Sequence, residues 1–359
     1  MKYLFKQFNK NTILDFLIIM FLSHIFYRFT FIETLQNEFS LISQIKNNNV
    51  TSKSFFVESP TFTLIGLLLG IENIDIYKIL IYLVSIICFC LIVLNIQFLD
   101  KFSTLFLFGG WLVTCSWFVG YVDIISVVLM VLISKNCIEN NIGFINTGMY
   151  FLLLSINHNA ISLAVSIIYL VLIKKENIKK LLLVVFGSQI LGNVIVQFYL
   201  NYIDFSGRGR LRFVFNDNVI EDATRFVGEN IFVVLWSGFL GVSIVMLFVF
   251  NSINWVEIKM ILISLFIALF FTSIALDTSR VFSILVIPIM IYTLDLFNKN
   301  INFHNKLSLT YSIVALSHFF IGVYYFYGSS LTSSPHNEVE TFYDFIARMV
   351  NSVMSNIWN

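Results

Sequence analysis

Long apolar runs separated by short polar gaps constrain this 359-residue chain more than any motif in it. A run of about 20 apolar residues is long enough to cross the hydrocarbon of a bilayer. Backbone polar groups inside lipid must be satisfied within the segment itself, so such runs form helices. Apolar residues make up 58% of the chain and charged residues 12%, against roughly 25% charged in soluble domains. Mean hydropathy is +0.86. The expected fold class is therefore all-α, a polytopic transmembrane bundle. The candidate spans are 13–31, 76–98, 104–120, 122–135, 145–157, 160–173, 181–200, 230–250, 258–275, 280–297 and 307–328, eleven in all.

Lysine placement orients the bundle. Lys2, Lys6 and Lys10 precede the first run, Lys174, Lys175, Lys179 and Lys180 share one gap, and Lys299 and Lys306 flank another. All three groups fall on the cytoplasmic side in a single topology, as the positive-inside rule asks. The N-terminus is then inside, and segment 32–75, the turns near 121 and 158, segment 201–229, the turn near 277 and the C-terminus are outside. Runs 104–135 and 145–173 read as two short helix pairs, because Gly120-Tyr121-Val122-Asp123 and Asn157-His158-Asn159 supply turn residues at their midpoints. Ser59-Pro60 introduces an apolar stretch, 61–71, that is too short to span and suits an interfacial or re-entrant helix. Residues 1–328 form one polytopic domain. Residues 329–359 are an outer-face linker and tail, with Phe342, Phe345, Met349 and Val353 spaced for an amphipathic helix on the membrane surface.

Net charge is +1, which leaves no broad electrostatic case for nucleic acid. Cys88, Cys90, Cys115 and Cys137 lack metal-ligand spacing and read as buried thiols. The residues that could carry chemistry lie in the outer gaps. Asp123 opens an apolar helix, where a carboxylate serves either as an N-cap or as a functional group costly to keep at that depth. His158 stands between two asparagines in a very short gap. It reads as a proton carrier or phosphate contact, or as a hydrogen-bonded packing histidine. Gly207-Arg208-Gly209-Arg210-Leu211-Arg212 is a basic run against the charge rule. Its Arg208, Arg210 and Arg212 suit a diphosphate, or anionic lipid heads. Asp277 and Arg280 are close enough in sequence to pair and orient their loop, with substrate binding as the second role. Glu33, Glu38 and Glu58 in the first outer loop are acid/base candidates, Glu33 being nearest the membrane. Their spacing specifies no metal, so no cofactor is called for, although a divalent cation is compatible with them.

An acidic first outer loop, short helix pairs with Asp123 and His158 at their outer ends, Asp277-Thr278-Ser279-Arg280 before a helix, and the Phe56-Val57-Glu58-Ser59-Pro60-Thr61 entry to a loop helix together resemble two groups of proteins. These are integral-membrane glycosyltransferases of the GT-C type and polymerases of O-antigen and exopolysaccharide. The resemblance is one of layout. The first loop lacks an Asp-Tyr signature, and Asn159 stands where many GT-C-like proteins carry an acidic residue. It implies a GT-C-like bundle in the bacterial cytoplasmic (inner) membrane, acting at its outer face. The substrate would be a polyprenyl-linked glycan, with membrane lipid and polysaccharide-assembly proteins as partners. Asp123, His158 and Glu33 would be catalytic, and Arg208, Arg210, Arg212, Asp277 and Arg280 would bind substrate. The expected reaction is polymerisation of undecaprenyl diphosphate-linked repeat units, or transfer of one sugar from a polyprenyl phosphate. A lipid-linked sugar transporter is a different class, disfavoured because no repeat is evident and the polar groups sit at helix ends.

Overall fold

A computed structural model describes residues 31, 35–47, 50, 57, 59–205, 219–249, 253–275, 278–299, six positions between 310 and 317, 325–327, 330–332 and 344–351. The regular elements in this range are helices, joined by short turns, apart from one small hairpin, β1 (Tyr325–Tyr327) paired antiparallel with β2 (Ser330–Thr332). The first candidate span up to residue 30, Glu33, Glu58, Arg208, Arg210, Arg212, Asp277, Phe342, Val353 and most of 307–324 lie outside the described residues.

Helices α1 (Leu35–Lys46) and α2 (Thr61–Leu68) come from the first loop. Helix α3 (Ile74–Asn95) starts where the Asn73 side chain accepts the amides of Asp75 and Ile76, an N-cap that fixes its first turn. It continues through a 3-10 stretch, kinked at Asp100 with φ 47°, into α4 (Ser103–Phe106), so that Ile74–Phe106 is an apolar segment of 33 residues. Ile76, Ile79, Leu83, Ile86, Ile87, Leu91 and Leu94 remain exposed along it. A stripe of that size would be untenable in water and suits lipid.

The middle of the chain folds into shorter pieces. These are α5 (Gly110–Trp117), α6 (Asp123–Ile138), α7 (Met149–Asn157, entered through a π turn at Phe144–Gly148) and α8 (Asn159–Leu172). The chain reverses at His158, since Phe151 on α7 packs edge-on against Tyr169 on α8 with ring centroids 5.7 Å apart. Helix α9 (Ile178–Tyr202) then runs 25 residues beside both. A polar seam joins the three: Ser155 donates to Gln189 Oε1, and Gln189 Nε2 donates to Ser162 and Ser166. Small residues let these helices approach, as Gly192 against Ser155 shows.

Helices α10 (Val219–Glu229), α11 (Ile231–Phe239), α12 (Val242–Val249), α13 (Trp255–Thr272), α14 (Thr278–Leu285) and α15 (Ile287–Lys299) complete the bundle. The sequence runs expected to be single spans are interrupted for identifiable reasons. Run 104–120 breaks at Gly109-Gly110, where the Ser237 carbonyl would stand 1.7 Å from any Cβ at Gly110. Run 230–250 breaks at Leu240, which adopts φ 48°. Run 280–297 bends by 42° between α14 and α15, because Pro288 has no N–H to offer the Ile284 carbonyl and its ring presses on that turn.

Among the described residues, three helices are long and apolar enough to cross a membrane: Ile74–Phe106, Lys175–Tyr202 and Trp255–Thr272. The bent α14–α15 pair makes a fourth if it counts as one span. Eleven separate membrane-length helices are not seen among the described residues, where the other apolar runs become helices of 8 to 16 residues. Residues 325–327, expected to end the last span, are the strand β1.

Two buried clusters organise the packing. The larger fills the bundle around Trp111, Met130, Phe151, Phe282 and Met290. The smaller closes one end, joining Phe31, Leu41, Phe62, Tyr77, Val119, Val122, Ile203 and Phe345. The tail thus departs from expectation. Residues 344–351 are helical, but Phe345 is buried at 1% exposure, edge-on to Phe31. Arg348 grips Asp75 through two hydrogen bonds of 2.7 and 3.2 Å, and Lys78 lies over both phenyl rings. These protein contacts take the aromatic face that would otherwise have lain on lipid.

Candidate functional site

The end closed by the smaller cluster also holds the polar turns. Asp123 is the first residue of α6, where the positive end of the helix dipole suits a carboxylate. Arg280 is the third residue of α14, where the same dipole opposes a cation, so its charge has to be answered from elsewhere. Asp123 answers it. Arg280 Nη1 lies 3.5 Å from Asp123 Oδ2, with the aspartate side chain 2% exposed and the arginine 12%. The guanidinium carbon stands 3.9 Å from the centroid of Tyr121, a cation–π stack that holds the planar fork from its other face. Sequence proximity nominated Asp277 as the partner of Arg280; Asp277 lies outside the described residues, and among those described the carboxylate against Arg280 is Asp123.

The α14 anchor is itself fixed. Thr114 on α5 and Ser283 on α14 share a buried hydroxyl hydrogen bond, and the Ser283 hydroxyl also donates to the Arg280 carbonyl at 2.9 Å. Gly238 admits the Phe282 ring. These contacts set the rotation of α14 and hence the direction in which Arg280 projects.

His158 occupies the one-residue reversal between α7 and α8 with φ −153° and ψ 79°. Its amide closes α7 on the Leu154 carbonyl and its carbonyl starts α8 on the Ser162 amide, both at 2.8 Å. It is 8% exposed and Asn157 3%. Its depth follows from register. Tyr169, eleven residues past His158, bonds to Ser134, eleven residues past Asp123. The same Tyr169 hydroxyl donates to the Met130 carbonyl, seven residues past Asp123, so at about 1.5 Å per residue the two turns differ in depth by no more than about one helical turn.

Thr61, at the start of α2, donates its hydroxyl to Asn157 Oδ1. The first-loop helix therefore reaches the His158 turn. Neither Thr61 nor Tyr121 was singled out by sequence. Tyr121 could have been suspected from its aromatic turn, whereas Thr61 sits in an ordinary apolar run. In the first loop it is Glu38 that is buried, on the packed face of α1 beside Tyr77. Burial pushes its carboxyl well above the usual range, and the Tyr77 hydroxyl offsets only part of that. Glu33, the sequence preference in that loop, lies outside the described residues.

Among the described residues, no group of three or more His, Cys, Asp or Glu side chains is placed to hold a metal ion. Cys88, Cys90, Cys115 and Cys137 are free thiols. The layer can offer a clamped guanidinium to an anion, and a carboxylate and an imidazole to a hydroxyl proton.

Family models, curated proteins and solved structures give no match to this chain.

Proposed function

We propose that this protein is a glycan-assembly enzyme of the bacterial cytoplasmic membrane. It would polymerise undecaprenyl diphosphate-linked oligosaccharide repeats into O-antigen or a related surface polysaccharide at the outer face. The observation that carries the reading is the buried Asp123–Arg280–Tyr121 cluster at a helix end. A charge pair at this depth in an apolar bundle is costly to keep and marks function more often than scaffolding.

The short helices suit a GT-C-like bundle of about eleven crossings in which several crossings are built from half-length pieces. Helix α6 has 16 residues and α8 has 14, so they rise about 24 and about 21 Å. The hydrocarbon is about 30 Å thick. Turns at 123 and 158 would therefore sit several ångströms below the outer surface, at a depth where a lipid-linked phosphate and an aqueous sugar can meet. In the reaction, Asp123 takes the proton of an acceptor hydroxyl as its oxygen bonds to the anomeric carbon of the donor glycan. The bond from that carbon to the diphosphate breaks, and the leaving undecaprenyl diphosphate takes the electron pair. Arg280 steadies the departing charge, assisted by Arg208, Arg210 and Arg212 of the outer loop. His158 returns a proton or contacts phosphate. Glu33 and Asp277 are supporting candidates from the same face.

Asp123→Asn keeps the side-chain shape and removes its charge. At matched protein abundance, long-chain polysaccharide should disappear while single-repeat lipid-linked material accumulates. Loss of the single repeat as well would favour the single-sugar transferase, and normal chain lengths would remove Asp123 from catalysis.

A further inference from the structure

The Thr61–Asn157 hydrogen bond joins two parts of the chain 96 residues apart at the edge of the candidate site. Helix α2 is not free to place Thr61 elsewhere. Ser59, Phe62 and Thr63 are buried, and Gly66 is pressed between Ile42 of α1 and Tyr77 of α3, where a Cβ would stand 2.5 and 3.1 Å from their side chains. Packing thus delivers the α2 N-terminus to the His158 turn. There the Thr61 hydroxyl engages the carbonyl end of the Asn157 amide, which fixes the amide orientation and turns its two N–H donors the other way. Asn157 is 3% exposed and adjoins His158. A neutral amide donor in a buried layer that already contains a guanidinium suits a neutral oxygen better than an anion. The phosphate has Arg280 to meet it, and directional amide donors are what distinguish one hydroxyl pattern from another.

We propose that Asn157, oriented by Thr61, binds a ring hydroxyl of the glycan, making α2 a wall of the substrate site and Thr61 a positioning residue. This rests on the glycan-assembly reading above. Asn157→Asp keeps an acceptor for Thr61 and loses the N–H donors. Thr61→Val keeps the volume and loses the hydroxyl, and Thr61→Ser keeps the hydroxyl. Lipid-linked repeat extracted from an Asp123→Asn strain serves as the substrate in membrane vesicles carrying each variant.

Asn157→Asp and Thr61→Val should raise the substrate concentration for half-maximal rate about tenfold with little change in maximal rate, the pattern of lost uniform binding. Thr61→Ser should restore it. Unchanged kinetics in Asn157→Asp, or equal defects in Thr61→Val and Thr61→Ser, would overturn the inference while leaving the glycan reading standing. If vesicles carrying the unaltered protein leave the lipid-linked repeat unextended, the glycan reading itself fails and this proposal fails with it.

Discussion

The buried ion pair sets what single substitutions can tell. Asp123 and Arg280 are each other's compensation in a low-dielectric setting, and the guanidinium is also stacked on Tyr121. Removing one partner of such a pair costs about 3–5 kcal/mol, because it strands a charge, whereas removing both together is often nearly neutral. Asp123→Ala should therefore lower the thermal stability of the detergent-solubilised protein sharply. Asp123→Ala with Arg280→Met should recover most of that loss without recovering activity. Equal destabilisation by the single and double variants, in a melting experiment on purified protein, would show that the two charges are not coupled. Asp123→Asn also removes one charge of the pair, so its functional test is read at matched protein abundance, where a lost product signals chemistry rather than unfolding.

At the scale of elements, α1 contains an internal conflict. Its buried face is Leu35, Glu38, Leu41 and Ile42, so a carboxylate lies where the helical period asks for an apolar side chain. Neither Glu38 oxygen has a hydrogen bond of normal geometry, and the Tyr77 hydroxyl lies beside it. Burial favours the protonated form, so folded α1 binds a proton that opened α1 releases at the ordinary glutamate range of about pH 4.3. Docking of α1 against α3 is then strongest below that range. It weakens as pH rises towards the raised folded-state value, because the undocked state now binds fewer protons than the docked one. Lys46 and Asp75, on the same packed elements, are engaged with Glu72 and Arg348. Hydrogen exchange over residues 35–46 should accelerate as pH rises above the ordinary glutamate range, beyond the intrinsic base-catalysed increase, and Glu38→Gln should abolish that excess. An excess that persists in Glu38→Gln would assign the effect to another group.

For the whole molecule, the two ends of the bundle differ in kind. One gathers Phe31, Tyr77, Val119, Ile203 and Phe345 with the polar turns; α9 begins at the other among Lys174, Lys175, Lys179 and Lys180. Its 25 residues span about 37 Å, more than the hydrocarbon thickness. In a background lacking the four native cysteines, Tyr202→Cys should react with an impermeant maleimide added to sealed cells, and Ile178→Cys should react only after permeabilisation. Reaction of both from outside would mean that α9 does not cross. Reaction of Ile178→Cys alone would invert the topology.

Hydropathy is a local property, and what depends on it was legible without a structure. The membrane-length helices at 175–202 and 255–272, the reversal at His158 and the start of a helix at Asp123 all follow from runs of apolar residues and the polar turn residues between them, whereas the run read as ending at 98 continues to 106. Breaks at Gly109-Gly110 and Leu240 were hidden, because they come from a neighbouring helix pressing on the chain or from a backbone angle that no hydropathy window records. Pairing was hidden for the same reason. Sequence carried no sign that a carboxylate on α6 would meet Arg280, and it offered Phe345 a lipid surface. Tertiary packing gave Arg280 the buried Asp123, gave Asn157 the hydroxyl of Thr61, and gave Phe345 the rings and cations at the start of α3. Which helix ends meet is decided by how all the helices share one core, and that sum is not carried by any segment alone.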